Sequence, residues 1–203
     1  MEGAGNIAGC LGQCKSLSGL KLRYNQFGDE GVRRLALGQW FVKSLSYLDL
    51  AANAIGVEGS EVLGELLKKI KALSHLGLSG NKLRDEGVKR LALGQCRSLS
   101  FLNIASCDIG PVGATHLGQC KMFSQLGLSC NTILCESAGA MAGMMEQCPL
   151  FSRARIDLGY NGIQDAGAGR IATVLGGCAS LSHIDLRSNN IGDQGARSIA
   201  VAL

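Results

Sequence analysis

Apolar residues along the chain recur in one order: Leu, two variable positions, Leu, one variable, Leu, two variable, Asn, one variable, then Leu or Ile. The order appears as LSGLKLRYNQF (17–27), LSYLDLAANAI (45–55), LSHLGLSGNKL (73–83), LSFLNIASCDI (99–109), FSQLGLSCNTI (123–133), RARIDLGYNGI (153–163) and LSHIDLRSNNI (181–191). Its ninth position is Asn25, Asn53, Asn81, Cys107, Asn131, Asn161 and Asn189, at successive spacings of 28, 28, 26, 24, 30 and 28. Within each unit the fourth and sixth positions alternate with variable ones, which is strand periodicity with the apolar set turned inward. After each strand, stretches such as EGVRRLALGQ, EGSEVLGELLKKI and AGAGRIATVLGG place apolar residues at helical spacing, with Val32, Leu35 and Ala36, or Val62, Leu66 and Ile70, on one face. Each unit is thus a strand and a helix leading to a parallel neighbouring strand, and the crossover is expected to be right-handed.

The longest internal match lies outside the strands. FGDEGVRRLALGQW (27–40) and LRDEGVKRLALGQC (83–96) stand 56 positions apart and fall on the helix with its preceding turn, so one packing solution is expected at both. Gly31, Gly59, Gly87, Gly113, Gly167 and Gly195 each follow the ninth position by six residues, where a helix start is expected to press on backbone and a side chain would collide. Asp29, Asp85, Asp165 and Asp193 lie near helix N-termini and are expected to cap them. The Asn residues are expected to stack as a ladder whose amides satisfy backbone groups where each strand turns away.

Seven consecutive matches resemble the leucine-rich repeat over the whole chain. The 28-residue period, with a GDEG-like stretch followed by a helical Leu-Ala pattern, is similar to the ribonuclease-inhibitor type of repeat, found also in cytosolic NLR-type receptors. Cys107 at the Asn position is an allowed variant of that family. The resemblance implies an α/β fold: a right-handed horseshoe solenoid with a parallel β-sheet on the concave face and helices on the convex face. Residues 1–203 are read as a single domain, with a partial first repeat over 1–16 and seven strand-turn-helix units from 17 to 203. EGAGNIAGCLGQC (2–14) matches AGAGRIATVLGGC (166–178), so the chain opens on the helix of an incomplete unit and closes on the helix GARSIAVAL. Neither end carries a distinct capping sequence. The expectation is a part of a longer array, or ends covered by end-to-end self-association.

Composition sharpens this picture. With 29 Gly, 2 Pro and 9 aromatic residues, the core must be built from Leu, Ile, Val and Ala, which suits thin stacked layers. The net charge of +4 is small and the basic residues are scattered, so neither nucleic acid nor a membrane surface is an expected partner. No signal segment and no run of 18 apolar residues is present; a cytoplasmic location is expected. The nine Cys (10, 14, 96, 107, 120, 130, 135, 148 and 178) follow the repeat rather than a disulfide framework, so reduced thiols are expected. Cys14, Cys96, Cys120 and Cys178 share one slot just after a helix and read as small buried apolar fillers. Cys130 and Cys135 flank a loop and are expected to be the most exposed, with a regulatory disulfide as the sharper alternative.

Catalytic and metal chemistry find little support. No CxxC pair, phosphate loop or nucleophile motif survives inspection, and no cofactor is expected. His75 and His183 share a template position four repeats apart, on the order of 20 Å at the usual strand spacing, too far to share a ligand. Asp157 and Asp185 occupy the same position of adjacent repeats, about 5 Å apart, and are the one candidate acid and base pair; Arg155 and Arg187 stand beside them and can neutralise them into a charged ladder instead.

Function is therefore sought on the variable strand positions, where the third, fifth, seventh and eighth of each unit face the concave side. The candidate partner-contacting residues are Arg23, Tyr24, Tyr47, Asp49, His75, Phe101, Asn103, Arg155, Asp157, Tyr160, His183, Asp185 and Arg187, with Tyr24, Tyr47, Phe101, Arg155 and Tyr160 as the anchors. The middle of this face is small and neutral and its flanks carry charge and aromatic rings. The expected function is non-catalytic binding of a protein partner as a recognition or scaffold module. A regulator of a small GTPase is the alternative, because a GTPase-activating protein of the nuclear-transport GTPase also uses such repeats; a hydrolase built on Asp157 and Asp185 is the remote one.

Overall fold

The computed structural model describes residues 2–11, 13–38, 44–120, 123–147, 154–178 and 181–203, and leaves the side chains of residues 2 and 144–147 undescribed. Cys148, and residues 39, 40 and 153 of the stretches quoted above, lie outside these residues. Among the described residues the chain runs α1 (Glu2–Leu11), β1 (Gly19–Lys21), α2 (Gly28–Leu37), β2 (Tyr47–Asp49), α3 (Val57–Leu67), β3 (His75–Gly77), α4 (Arg84–Arg90), β4 (Phe101–Asn103), α5 (Pro111–Leu117), β5 (Gln125–Gly127), α6 (Leu134–Gln147), β6 (Ala154–Asp157), α7 (Gln164–Leu175), β7 (Leu181–Asp185) and α8 (Asp193–Ala202). The seven strands form one parallel sheet in the order β1 to β7, which is the α/β solenoid expected.

Register follows the sequence template. Leu20, Leu48, Leu76, Leu102, Leu126, Ile156 and Ile184 pair across the sheet as one row turned to the core. From Leu48 to Ile156 every member of that row is buried. Opposite them, Val32 and Leu35, Leu63 and Leu67, Val88 and Leu91, Leu117, Met141 and Ile171 close the core from the helices. Each such side chain is worth roughly 1.5–3 kcal/mol on burial, and the layers need one another because no unit covers its own core. At the two flanks the matching residues, Leu17, Leu20 and Leu22 or Leu181, Ile184 and Leu186, are only partly buried.

The Asn ladder is present. The Nδ2 of Asn53 donates to the carbonyls of Leu22 (2.8 Å), Leu50 (3.0 Å) and Ala51 (3.1 Å), and its Oδ1 accepts from the backbone N–H of Asn25 at 3.0 Å. Asn81, Asn131, Asn161 and Asn189 repeat the arrangement, each spanning to the preceding unit. Cys107 fills the same slot with a single S–H, donated to the Leu78 carbonyl at 3.2 Å. Burial pushes this thiol up from an ordinary 9.0 to about 12, only partly offset by nearby backbone N–H groups of Asn81 and Gly80. A second ladder was not foreseen. The hydroxyls of Ser46, Ser74, Ser100, Ser124 and Ser182 each donate to the carbonyl one strand back at 3.0–3.3 Å. Its signal is Ser at the second template position, visible in six of the seven quoted units.

Two expectations change. Asp29, Asp85 and Asp165 do not cap their own helices, whose N-cap residues Phe27, Leu83 and Ile163 are apolar. Each Asp stands one residue inside the helix, where its carboxylate points along the solenoid axis. It accepts instead from the N–H of Gly56, Gly110 or Gly192 at 2.6 Å, the N-cap residue of α3, α5 or α8 in the next unit. Capping is therefore a bond between repeats, and Asp193 caps nothing among the described residues. Gly59, Gly113 and Gly195 answer to the same contact: a Cβ on Gly113 would stand 2.6 Å from the Asp85 carboxylate and 3.0 Å from its Cα, whereas Gly31, Gly87 and Gly167 make room for Phe27, Ser60 and Ile163.

The second change concerns the matched segments. α2 continues to Leu37, whereas α4 ends at Arg90, Ala92 turns left-handed (φ 48°) and Leu93–Gln95 forms a 3-10 turn. The cause is length: the next strand begins at Tyr47 after the first segment and at Phe101 after the second, two residues sooner. The chain must leave α4 early, and the steeper 3-10 rise covers the distance.

Candidate interaction face

The sheet register brings the variable positions into rows. The third positions form Gly19, Tyr47, His75, Phe101, Gln125, Arg155 and His183, and the fifth form Lys21, Asp49, Gly77, Asn103, Gly127, Asp157 and Asp185. Both rows lie on the sheet face away from the core. The candidates assemble there as two groups rather than as one continuous patch.

The first group is aromatic. The rings of Tyr47 and His75 stack at 5.9 Å, those of His75 and Phe101 at 5.3 Å, and the Lys21 ammonium lies 5.4 Å from the Tyr47 ring. Parallel strands about 4.8 Å apart put equivalent side chains at stacking distance, so the ladder follows from register alone. Asp49 belongs to the floor of this group: it is 5% exposed, its Oδ1 accepts from the Ala51 N–H, and its Oδ2 faces Arg23 at 3.6 Å. As a contact for a partner it is covered, contrary to expectation. Its lean across β3 also explains Gly77, where a Cβ would meet the Asp49 carboxylate at 2.8 Å.

The second group is charged. Arg187 lies between Asp157 (3.8 Å) and Asp185 (3.2 Å), and each aspartate also accepts a backbone N–H, from Gly159 or from Arg187, at 3.0 Å. Gly159 makes room, since a Cβ there would stand 3.0 Å from the Arg187 side chain. The two carboxylates thus form the charged ladder expected as the alternative to an acid and base pair. Arg155 takes no part in it: it is exposed and has no ion pair among the described residues. Between the groups the sheet carries Gln125 and Gly127, leaving a trough of about 530 Å³ bounded by Phe101, Asn103, Arg155, Asp157, His183 and Asp185.

The rim is set by backbone. The eighth position is left-handed in every unit, from Tyr24 (φ 59°) through Gly80 (69°) to Tyr160 (57°) and Ser188 (52°). Only Gly80 suits that conformation without strain, yet Tyr24 and Tyr160 occupy it with 75% and 53% of their surface exposed. Arg23 and Arg187 lie over the two rings at 5.7 and 5.9 Å. Cys130 stands at the same rim position and is exposed, and Cys135 is half-buried; Cys10 and Cys14 are exposed as well, which the sequence did not indicate for Cys14. Cys96 and Cys120 are the buried fillers expected, and Cys178 is half-buried. All eight described Cys are free thiols, and no group of metal-ligating side chains occurs among the described residues.

The convex side is different in kind. Arg33 and Arg34 pair with Glu30, and Arg90 with Glu86 and Glu61, at 2.8–3.1 Å. The arginine partners hold the Glu30 and Glu86 carboxyls below the usual range. Over α2–α4 this is a solvated, self-neutralised surface.

With the stacked units and their ladders in view, family comparisons agree. Residues 13–36, 72–92, 95–118, 155–172 and 177–200, together more than half the chain, match the Leucine Rich repeat model, and the chain belongs to the leucine-rich repeat family. No curated protein matches the sequence. Among solved structures, the fold is similar to an internalin of Listeria monocytogenes, with a TM-score of 0.59 and 20% identity over 94% of this chain and 47% of that one. The chain therefore spans about half the length of that protein. The tropomodulin C-terminal domain of Caenorhabditis elegans (14% identity, 100% of this chain and 90% of that one) and the leiomodin-1 actin-binding site 2 (11%, 99% and 86%) align with TM-scores of 0.44. No helix among the described residues is long and apolar enough to cross a membrane.

Proposed function

We propose that this domain is a non-catalytic recognition module that seats a protein partner on its concave sheet, with Tyr47, His75, Phe101, Arg155 and His183 in contact and Tyr24 and Tyr160 at the rim. The observation that carries this reading is the trough between the aromatic stack and the Arg187 ladder. It is a concave, partly apolar recess with exposed anchors, on a protein whose opposite surface over α2–α4 is neutralised by its own ion pairs. Asp157 and Asp185 serve this face as structural charges, each held by Arg187 and a backbone N–H. The GTPase-regulator alternative rests on repeat type alone and has no residue of its own here, so binding without a stated pathway is preferred. The 28-residue period and outer helices support placing the repeats in the ribonuclease-inhibitor-like type, with a cytoplasmic setting suited to the free thiols.

The test is comparative capture. Proteins retained by the wild type and by an Arg33→Ala/Arg90→Ala convex variant, but lost with Phe101→Ala/Arg155→Ala at unchanged thermal stability, identify concave-face partners. Retention by the concave variant contradicts the reading. The partly buried Leu181, Ile184 and Leu186 support a further contact, self-association through the flanking units, which appears as a mass that rises with protein concentration in light scattering.

A further inference from the structure

The concave face also indicates the chemistry of what it binds; this step rests on the reading above and names the occupant's class. Cations on this face are satisfied from within, with one exception. Arg23 faces Asp49, Arg187 faces Asp157 and Asp185, and Lys21 lies over the Tyr47 ring. Arg155 alone stands exposed in the trough without a counter-charge among the described residues. Its neighbours in the row are Gln125 and His183, paired to it directly by register and both able to donate N–H. The nearest carboxylate in its own strand, Asp157, is drawn off by Arg187 and the Gly159 N–H.

The aromatic stack supplies the other half. Within it, each ring face meets another ring or the Lys21 ammonium, apart from the face of Phe101 that turns toward β5 and the trough. Phe101 and Arg155 are two strands apart, about 9.6 Å at the usual spacing; Gln125 stands between them in the row, and Gly127 beside it in the fifth-position row leaves space open there. An apolar ring face and an unpaired guanidinium, with the Gln125 amide between them and a glycine beside it, complement an apolar side chain and a carboxylate close together on one segment. Guanidinium and carboxylate match as a two-pronged pair, stronger than either group's bonds with neutral partners.

We propose that the occupant of this trough is an acidic peptide segment: a carboxylate received by Arg155 with Gln125 and His183, beside an apolar or aromatic side chain laid on Phe101. A polyanion such as nucleic acid is disfavoured by Asp157 and Asp185 on the same wall.

The experiment selects short peptides from a random displayed library on the immobilised protein and measures the best as synthetic peptides by fluorescence anisotropy. The selected set should share Asp or Glu next to Leu, Phe or Trp. Arg155→Gln should weaken binding at least about tenfold, as should replacing the peptide's acid by its amide, and the two changes together should cost little more than either alone. Phe101→Leu should weaken binding of the same peptides, whereas Arg23→Gln, at the far flank, should leave it unchanged. Selection of peptides without an acid, acidic peptides indifferent to Arg155→Gln, or tighter binding of a phosphoserine form that no longer needs the apolar neighbour would each overturn the proposal. If acid-free peptides displace a captured partner, the concave-face reading stands while this inference falls. If Phe101→Leu and Arg155→Gln leave that partner's affinity untouched, the concave-face reading itself falls.

Discussion

Segments 27–38 and 83–94 differ at three of their twelve positions, yet end differently. In the first, helix α2 runs on and Leu37 stands 77% exposed; in the second, the chain breaks after Arg90 and Leu93 is 2% exposed in the core. The same Leu-Ala-Leu-Gly letters end in an exposed leucine on a helix in one place and open a 3-10 turn on a buried leucine in the other. What decides is the number of residues left to reach the next strand. Repetition of sequence thus guarantees the helix start, where Gly31 and Gly87 and the following repeat set the geometry, and does not guarantee its end.

The largest expected effect separates the two segments. Leu93→Ala should cost about 2–5 kcal/mol in urea unfolding and Leu37→Ala less than about 0.5, because only the first opens a cavity; equal costs would mean that the two ends are packed alike. Next come the linking carboxylates, where the segments should agree. Asp29→Ala and Asp85→Ala should each cost about 1–2 kcal/mol, since both leave an N-cap glycine N–H of the following unit without its acceptor.

A smaller effect tests the ladder beside the second segment. Cys107→Asn should raise stability by about 1 kcal/mol, supplying a second donor and a stronger acceptor than the thiol offers. The same thiol gives a pH signature. Its folded value, about 12, lies above the ordinary 9.0, so the neutral form is favoured by folding; the stability it contributes is complete below pH 9 and is lost as pH rises toward 12. Cys107→Asn should remove that part of the alkaline loss, read from urea midpoints across the range. Smallest of all, Tyr160→Gly should leave stability unchanged or slightly raised, because glycine accepts φ 57° where tyrosine is strained, while weakening partner binding. A clear loss of stability would show that the ring packs rather than waits for a partner.

Much of this was legible from the chain. Seven units, the parallel sheet, the inward Leu rows, the Asn ladder and the glycine contacts all follow from spacing, because each is a local constraint repeated. The directions of Asp29 and Asp85 were not legible, since whether a carboxylate reaches its own helix or the next depends on where the helix begins by a single residue. Nor was the burial of Asp49, which needs the neighbouring Gly77 and Arg23 in place. Strand register was legible as rows, but which cation is left over is a matter of pairing: Arg155 and Arg187 both stand beside the aspartates in the sequence template, and only the structure gives both aspartates to Arg187.

The central claim is that the repeated outer segments build the scaffold and the variable strand rows do the binding. Hydroxyl-radical footprinting of the domain with and without a captured partner tests it most directly. The account predicts protection of Tyr47, His75, Phe101 and His183, with Leu37 on α2 and Val112 on α5 labelled as before. Protection of Leu37 and Val112 with the concave rings unchanged would contradict it.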